Sequence, residues 1–460
     1  MPESSWPEND SYNEFEDINS LSSEITFPIL DEFPEYFLRG NEGRRIKSAF
    51  ILFLVYSLII ALHLLSWGQW LIWGLAGILW IQAFRVLFAS PLPLPPSLSQ
   101  SITDYPFVSL LVAAKNEQSV IANLVTTLCH QDYPSDRYEV WVVDDYSTDN
   151  TPAVLAQLQQ EYSNLRVLRR RENATGGKSG ALNQVLPLTK GEFIAVFDAD
   201  ATVSPDMLRQ ILPIFNDQKV GAIQMRKAIS NSNINFWTKG QTTEMALDSY
   251  FQQQRIAITG IGELRGNGQF MRRSALVSCG GWNEQTITDD LDLTIRLHLE
   301  NWDIKFSIFP CVNEEGVTKA IALWHQRSRW AEGGYQRYLD YWKLILSNKM
   351  GTKKTIDLIG FFLIQYILPM AAIPDICMAI ALGKPLILTP VASLGFILAT
   401  VGMLTSLHRI DKSSFLVRLM STIMGNIYML HWFIVMGFHT TKMAFFPKKL
   451  KWVKTVHQGS

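Results

Sequence analysis

The sequence predicts a mostly parallel α/β domain inserted between transmembrane helices, and three observations carry that prediction. Near-continuous apolar runs of membrane length stand on both sides of a central segment. Within that segment, short β-branched runs alternate with amphipathic stretches. Two of those runs end in acidic clusters, where an open parallel sheet presents its ligand-binding groups.

Composition bounds the reading. A chain of 460 residues with 48% hydrophobic residues holds two or three structural units, and a net charge of −1 gives no global attraction for nucleic acid. Cys129, Cys279, Cys311 and Cys377 have neither metal-ligand spacing nor the density of a disulfide scaffold. A reduced, cytosolic catalytic segment is therefore expected.

Residues 1–43, acidic and rich in Ser, Asn and Pro, read as a disordered tail that is not a signal peptide. Residues 44–90 read as a two-helix transmembrane hairpin, since Ala49 to Trp67 and Trp70 to Ala89 each approach the ~20 residues needed to cross the hydrocarbon core. Arg44, Arg45 and Lys47 before the hairpin, and Arg85 near its end, assign both flanks to the cytoplasm. Residues 91–105 begin with Pro91-Leu-Pro-Leu-Pro-Pro96 and form a stiff linker.

Residues 106–330 form the cytosolic catalytic domain, with strands expected at Val108 to Ala113, Glu139 to Val143, Leu165 to Leu168, Phe193 to Phe197 and Gly221 to Gln224. Residues 331–354 carry Tyr335, Tyr338, Tyr341 and Trp342 and read as an aromatic-belted helix at the membrane surface. Residues 355–440 hold three further apolar stretches, about Leu358 to Leu382, Leu386 to Leu407 and Phe415 to Phe438. The basic tail over 441–460, with Lys442, Lys448, Lys449, Lys451 and Lys454, belongs in the cytosol, which requires one of the three to be interfacial or re-entrant. The first, broken by Pro369 and Pro374 and carrying Asp375, is the candidate.

The motifs carry the chemistry. Asp144 and Asp145 end a buried strand and can face a ligand's amide and hydroxyl donors, while Asp149 suits the cap of a helix beginning near Thr151. Asp198 and Asp200 flank Ala199, point the same way by strand alternation, and can share one divalent ion and one sugar nucleotide. Their hard oxygens imply Mg2+ or Mn2+, completed by the substrate's phosphates. Gly176-Gly177-Lys178 opens a helix, which suits a diphosphate held by backbone N–H groups and by Lys178. Asp289, Asp290 and Asp292 exceed what capping a helix requires, and their crowding raises a carboxylate toward the range of a useful base; Asp290 is assigned that role, with Asp289 beside it. Gln326, Arg329 and Trp330 share a helix face, with Arg329 suited to a diphosphate and Trp330 to the floor of an acceptor pocket.

In this order the motifs resemble those of the inverting GT-A glycosyltransferases of family 2, in the membrane-integrated branch that includes the cellulose, hyaluronan and poly-N-acetylglucosamine synthases. The resemblance covers about Pro106 to Trp342 plus the flanking helices, and it implies a GT-A fold (a nucleotide-diphospho-sugar transferase domain). It implies that Asp144 and Asp145 contact the uridine, that Asp198 and Asp200 bind ribose, diphosphate and metal, and that Asp290 is the base. It further implies that Gln326 and Arg329 hold the diphosphate and that Trp330 meets the acceptor. Asp289 stands where the family usually has glutamate, and no gating-loop motif of the cellulose type follows Trp330. Over its whole length the chain is most similar to the members that glucosylate lipid. That similarity implies transfer of glucose from a UDP-glucose donor to diacylglycerol with Mg2+, by an integral multi-pass protein of the cell or thylakoid membrane. Processive polysaccharide synthesis is the alternative.

Overall fold

The structure, a computed structural model, describes residues 43–91, 93–98 and 105–446. The acidic tail up to residue 42, linker residues 92 and 99–104, and Lys448, Lys449, Lys451 and Lys454 of the basic tail lie outside the described residues.

Among the described residues two apolar helices come first, α1 (Arg44–Leu64) and α2 (Gly68–Leu87), joined by a turn so close that a Cβ on Gly68 would lie 2.0 Å from the Leu62 carbonyl oxygen. The central part then alternates strand and helix: β1 (Val108–Ala114), α3 (Ile121–Cys129), β2 (Tyr138–Asp144), α4 (Thr151–Glu161), β3 (Leu165–Arg169), α5 (Gly177–Val185) and β4 (Phe193–Phe197). Then come α6 (Met207–Ile211), β5 (Val220–Ile229), α7 (Phe236–Ala257), β6 (Gln269–Arg272), α8 (Arg273–Ser278), α9 (Asp289–Leu299) and β7 (Asp303–Glu314). The helical remainder is α10 (Ala320–Leu346), α11 (Thr352–Phe362), α12 (Leu368–Leu382), α13 (Thr389–Ile410), α14 (Phe415–Met429) and α15 (His431–Phe445).

The strands form one seven-stranded sheet in the order β3-β2-β1-β4-β6-β5-β7. β1, β2, β3 and β4 run parallel, so Ala114 of β1 and Asp144 of β2 end in register at one edge. β6 is antiparallel to both β4 and β5. Strand alternation divides the core: Leu110 and Val112 pack with Leu124 and Leu128 on one face, and Leu111 packs with Leu182, Leu276 and Leu293 on the other. Both faces are covered, which is why these strands read as continuous apolar runs.

Among the described residues, five helical runs are long and apolar enough to cross a membrane: Arg44–Leu64, Gly68–Leu87, Thr352–Leu382, Thr389–Ile410 and Phe415–Phe445. The third corrects the expectation of a break at the prolines. Thr352–Leu382 is helical throughout, because a π-turn at Leu363–Ile367 widens the helix just before Pro369. Asp375 is compatible with this run because its carboxylate accepts the Ile387 and Leu388 N–H groups at 3.1 Å each and lies 2.7 Å from His63 Nε2. The last run, Phe415–Phe445, passes from α14 to α15 at Leu430, whose φ of −59° and ψ of −25° keep it in the right-handed helical region.

The aromatic belt expected after Trp330 is also corrected. Tyr335, Tyr338 and Tyr341 are buried within the protein, while Trp342 and Leu346 remain exposed. Tyr338 lies 4.4 Å from the Phe362 ring, Tyr335 lies 5.7 Å from Tyr366, and the Tyr341 hydroxyl donates to Asp292 at 2.8 Å. The helix starts well before this point, so the Gln326 to Trp330 motif and the tyrosines belong to one element of 27 residues.

Candidate active site

The carboxyl ends of β1, β2 and β4 meet the first turns of α5 and α9. Gly176, at φ 82°, and Gly177, at φ 53°, turn the chain into α5 in the left-handed region, which glycine adopts at little cost. Lys178 follows, and its Nζ lies 2.5 Å from Asp198 Oδ1, just beyond the end of β4. Burial alone would lower the Lys178 ammonium; Asp198, with Asp289 and Asp290 behind it, overrides this and raises it above the ordinary lysine range. Four predicted residues, Lys178, Asp198, Asp289 and Asp290, are therefore within electrostatic reach of one another.

Asp289 and Asp290 open α9, where the helix N-terminus favours negative charge. Even so, burial and then Asp289 raise Asp290 from 3.8 to about 6, despite the N–H of Leu291 donating to its Oδ1 at 2.8 Å. Asp289 is raised as well, by burial first and by Asp198, against the pull of Lys178. Asp290 faces the turn before β6, where a Cβ on Gly266 would stand 3.3 Å from its Oδ2. The two acids thus differ in kind from the solvated carboxylates of an ordinary helix start.

The turn at Gly266, Asn267 and Gly268 ties the site together. The Asp198 N–H donates to Asn267 Oδ1 at 3.2 Å, and Asn267 Nδ2 donates to Glu314 at the end of β7 at 3.2 Å. Glu314 pairs with Lys227 at 3.2 Å, and the Lys227 ammonium lies 5.1 Å from the centre of the Trp330 ring. Asp200 turns to the same strand end, accepting the Glu315 N–H at 3.1 Å. Trp330 is thereby connected to the Asp198 turn through β7.

The first acidic pair splits. Asp144 is buried, with one oxygen accepting the Ser147 N–H at 3.0 Å and the other 3.5 Å from Arg169. It braces its own turn, while its Oδ2 has no hydrogen-bond partner among the described residues. Asp145 is half-buried and pairs with Arg170 at 2.6 Å and Lys115 at 3.5 Å. Asp149 does act at the helix start, accepting the Thr151 N–H at 2.9 Å. Arg170 was not singled out from the sequence, yet its guanidinium bonds Asp145, the Thr175 and Gly177 carbonyls and Gln184, and so fixes the loop that carries Lys178. The run Arg169-Arg170-Arg171 at a strand end was its only sequence signal.

Gln326, Arg329 and Trp330 are half-buried on α10, while Arg327 and Ser328 between them are buried. Gln326 Oε1 accepts from Arg327 at 2.6 Å, and burial lowers the Arg329 guanidinium.

Among the described residues, no group of three or more His, Cys, Asp and Glu side chains is gathered closely enough to hold a metal ion by itself. The donor set nevertheless fits a divalent ion shared with a substrate. Asp198 and Asp200 are two hard-oxygen donors at one turn, and Lys178 already holds a positive charge against Asp198. An ion of the Mg2+ class characteristically takes one or two carboxylates and completes its shell with phosphate and water.

Comparison with known proteins agrees with this geometry. Residues 109–279 match the model of glycosyl transferase family 2. The chain is 58% identical to a β-monoglucosyldiacylglycerol synthase of Trichormus variabilis, over 100% of both chains. It is 53% identical to the enzyme of that name from Synechocystis sp., over 99% of this chain and 97% of the other. In fold it is similar to a mannosyltransferase from Pyrobaculum calidifontis solved with GDP-Man and Mn2+, at TM-score 0.56 and 21% identity, over 84% of this chain and 99% of that one.

Proposed function

Because the chain belongs to glycosyl transferase family 2, in the group of the β-monoglucosyldiacylglycerol synthases, we propose that it transfers glucose from UDP-glucose to diacylglycerol and forms the β-glucoside. The observation that carries the reading is similarity over the whole chain, membrane helices included, to synthases of that name. The processive alternative is not favoured by this full-length similarity.

In the proposed mechanism Asp144, Asp145 and the Arg170-braced turn receive the nucleoside, and Lys178 turns from Asp198 to the diphosphate with Gln326 and Arg329 behind it. Asp198 and Asp200 would hold a divalent ion, Mg2+ or Mn2+, which when bound supplies Lewis-acid stabilisation to the leaving diphosphate. Asp290 removes the proton from the lipid's free hydroxyl, and that oxygen attacks the anomeric carbon on the face opposite UDP. One displacement inverts an α-linked donor into a β-product. Trp330 lines the acceptor side. Diacylglycerol leaves a bilayer at about 0.8 kcal/mol per exposed CH2, so the acceptor has to be met at the membrane face. We place the catalytic domain in the cytosol with the apolar helices in the bilayer.

Incubation of the purified protein in lipid with Mg2+, diacylglycerol and radiolabelled UDP-glucose should give a single glucosylated lipid. High-molecular-weight polymer would transfer the chain to the processive branch. Asp290→Asn should lower kcat by about 10²–10⁴ while UDP-glucose still binds. Unchanged turnover would remove Asp290 as the base.

A further inference from the structure

Motif reading assigns roles to Gln326, Arg329 and Trp330 and none to Arg327, yet Arg327 is the most deeply buried of the four, with 1% of its side chain exposed. Its guanidinium pairs with Glu244 of α7 and lies 4.0 Å from the centre of the Trp330 ring. Glu244 is held from two more directions: the Tyr428 hydroxyl donates to it at 3.0 Å and Trp432 Nε1 at 2.7 Å. Arg327 also donates to the Tyr428 hydroxyl at 3.3 Å.

Tyr428 and Trp432 flank Leu430, the point where α14 gives way to α15. Their reach depends on an unusually close contact between α14 and α7. A Cβ on Gly240 would stand 2.2 Å from the Tyr428 ring, and one on Gly425 would stand 2.6 Å from Thr243 Oγ1. On its other side α14 exposes Leu416, Met420, Ile423 and Ile427. One helix thus joins an apolar outer face to a polar anchor behind the acceptor wall. A buried ion pair adds little stability over an apolar substitute, so the value of this arrangement lies in fixing positions.

We propose that Glu244, Arg327, Tyr428 and Trp432 form a clamp that fixes the Trp330 indole, so that α14 and α15 govern acceptor affinity from outside the catalytic domain. The inference rests on the acceptor role proposed above for Trp330. Arg327 and Glu244 are positioning residues and do not touch the reacting atoms.

The test uses the full chain in lipid nanodiscs, with KM for diacylglycerol, KM for UDP-glucose and thermal unfolding measured for Trp432→Phe, Tyr428→Phe, Arg327→Lys and Trp330→Ala. Trp432→Phe deletes one hydrogen bond to a charged group and Tyr428→Phe deletes two; each should raise the acceptor KM roughly tenfold or more, with the donor KM moved by no more than about twofold. Arg327→Lys keeps the charge but loses the flat guanidinium against the indole, and should also raise the acceptor KM. If Trp330→Ala raises the acceptor KM and the Phe variants only lower the melting temperature or kcat, the clamp is refuted. If Trp330→Ala itself leaves the acceptor KM unchanged, the acceptor role has failed and the clamp with it.

Discussion

Acidification offers a direct test of the base. Burial, reinforced by Asp289, raises Asp290 from 3.8 to about 6. A raised carboxyl is protonated, and useless as a base, at a pH where an ordinary aspartate is still ionised. Catalysis is therefore present above pH 6 and lost as pH falls through it. With a titration centred there, about 97% of Asp290 is ionised at pH 7.5, about half at pH 6 and about 9% at pH 5. Since kcat/KM reports groups of the free enzyme, it should fall about tenfold between pH 7.5 and pH 5, along a limb of unit slope. An aspartate at its ordinary value would lose only about 6% of activity over the same interval. Asp289→Asn deletes the second cause of the shift and leaves the larger one, burial, so the limb should move to lower pH without reaching the ordinary position. The assay is transfer of radiolabelled glucose at subsaturating UDP-glucose in mixed micelles. Samples held at each pH are returned to pH 7.5 to separate titration from inactivation. A flat profile down to pH 5, or an upward shift in Asp289→Asn, would refute the assignment.

Two further outcomes are expected from substitutions nearby. Lys178→Met removes the ammonium that would turn to the diphosphate and should raise the donor KM tenfold or more, on the order of one charge-assisted contact, while acceptor KM stays put; an unchanged donor KM would exclude Lys178 from the donor site. Gly333→Ala would bring a methyl group 2.4 Å from Thr288 Cγ2, immediately before Asp289. Forced overpacking should cost about 1–3 kcal/mol, read by thermal unfolding in detergent, and should lower kcat through displacement of the α9 start. Full stability and turnover in that variant would show that Thr288 yields freely.

What the sequence revealed about the fold depended on how local each signal was. β1, β2 and β4 were legible because burial on both sheet faces leaves near-continuous apolar runs, and two of them, β2 and β4, run into acids. β6 has four residues, two of them Gln269 and Arg272, and β7 is interrupted by Lys305, Pro310 and Asn313, so neither presents a recognisable period. Yet β7 delivers Glu314 and Glu315 to the site. The motif acids were legible by adjacency, whereas Arg170, Asn267 and Arg327 act through partners distant in the chain, as Arg327 does through Glu244, 83 residues away. The tyrosines after Trp330 are ambiguous in sequence for a related reason. An aromatic stripe on a helix has the same period whether it meets lipid headgroups or Phe362 and Tyr366 of a neighbouring helix.

The connection between the base and the membrane helices lies in charges that the motifs do not contain. Glu263 is fully buried and pairs with Arg337 at 2.7 Å, Arg265 at 2.8 Å and Arg255 at 3.1 Å. Burial alone would raise it; Arg337, Arg265 and Arg255 outweigh that and hold its carboxyl well below the usual range. Arg255 continues to Asp357 at 2.8 Å on α11, the start of the long Thr352–Leu382 run. Arg265 pairs with Asp248 at 2.9 Å and lies close enough to Asp290 to oppose its upward shift. Desolvating so many charges gains the fold little, because well-packed apolar groups would serve stability as well. What such a network supplies is register. It ties α7, α10, α11 and the turn facing Asp290 to one another, so a rotation of α11 against the sheet would uncover buried charge. The proposed base, Asp290, is therefore held at a fixed height relative to the apolar helices, as the proposed transfer requires of a site whose acceptor cannot reach it through water.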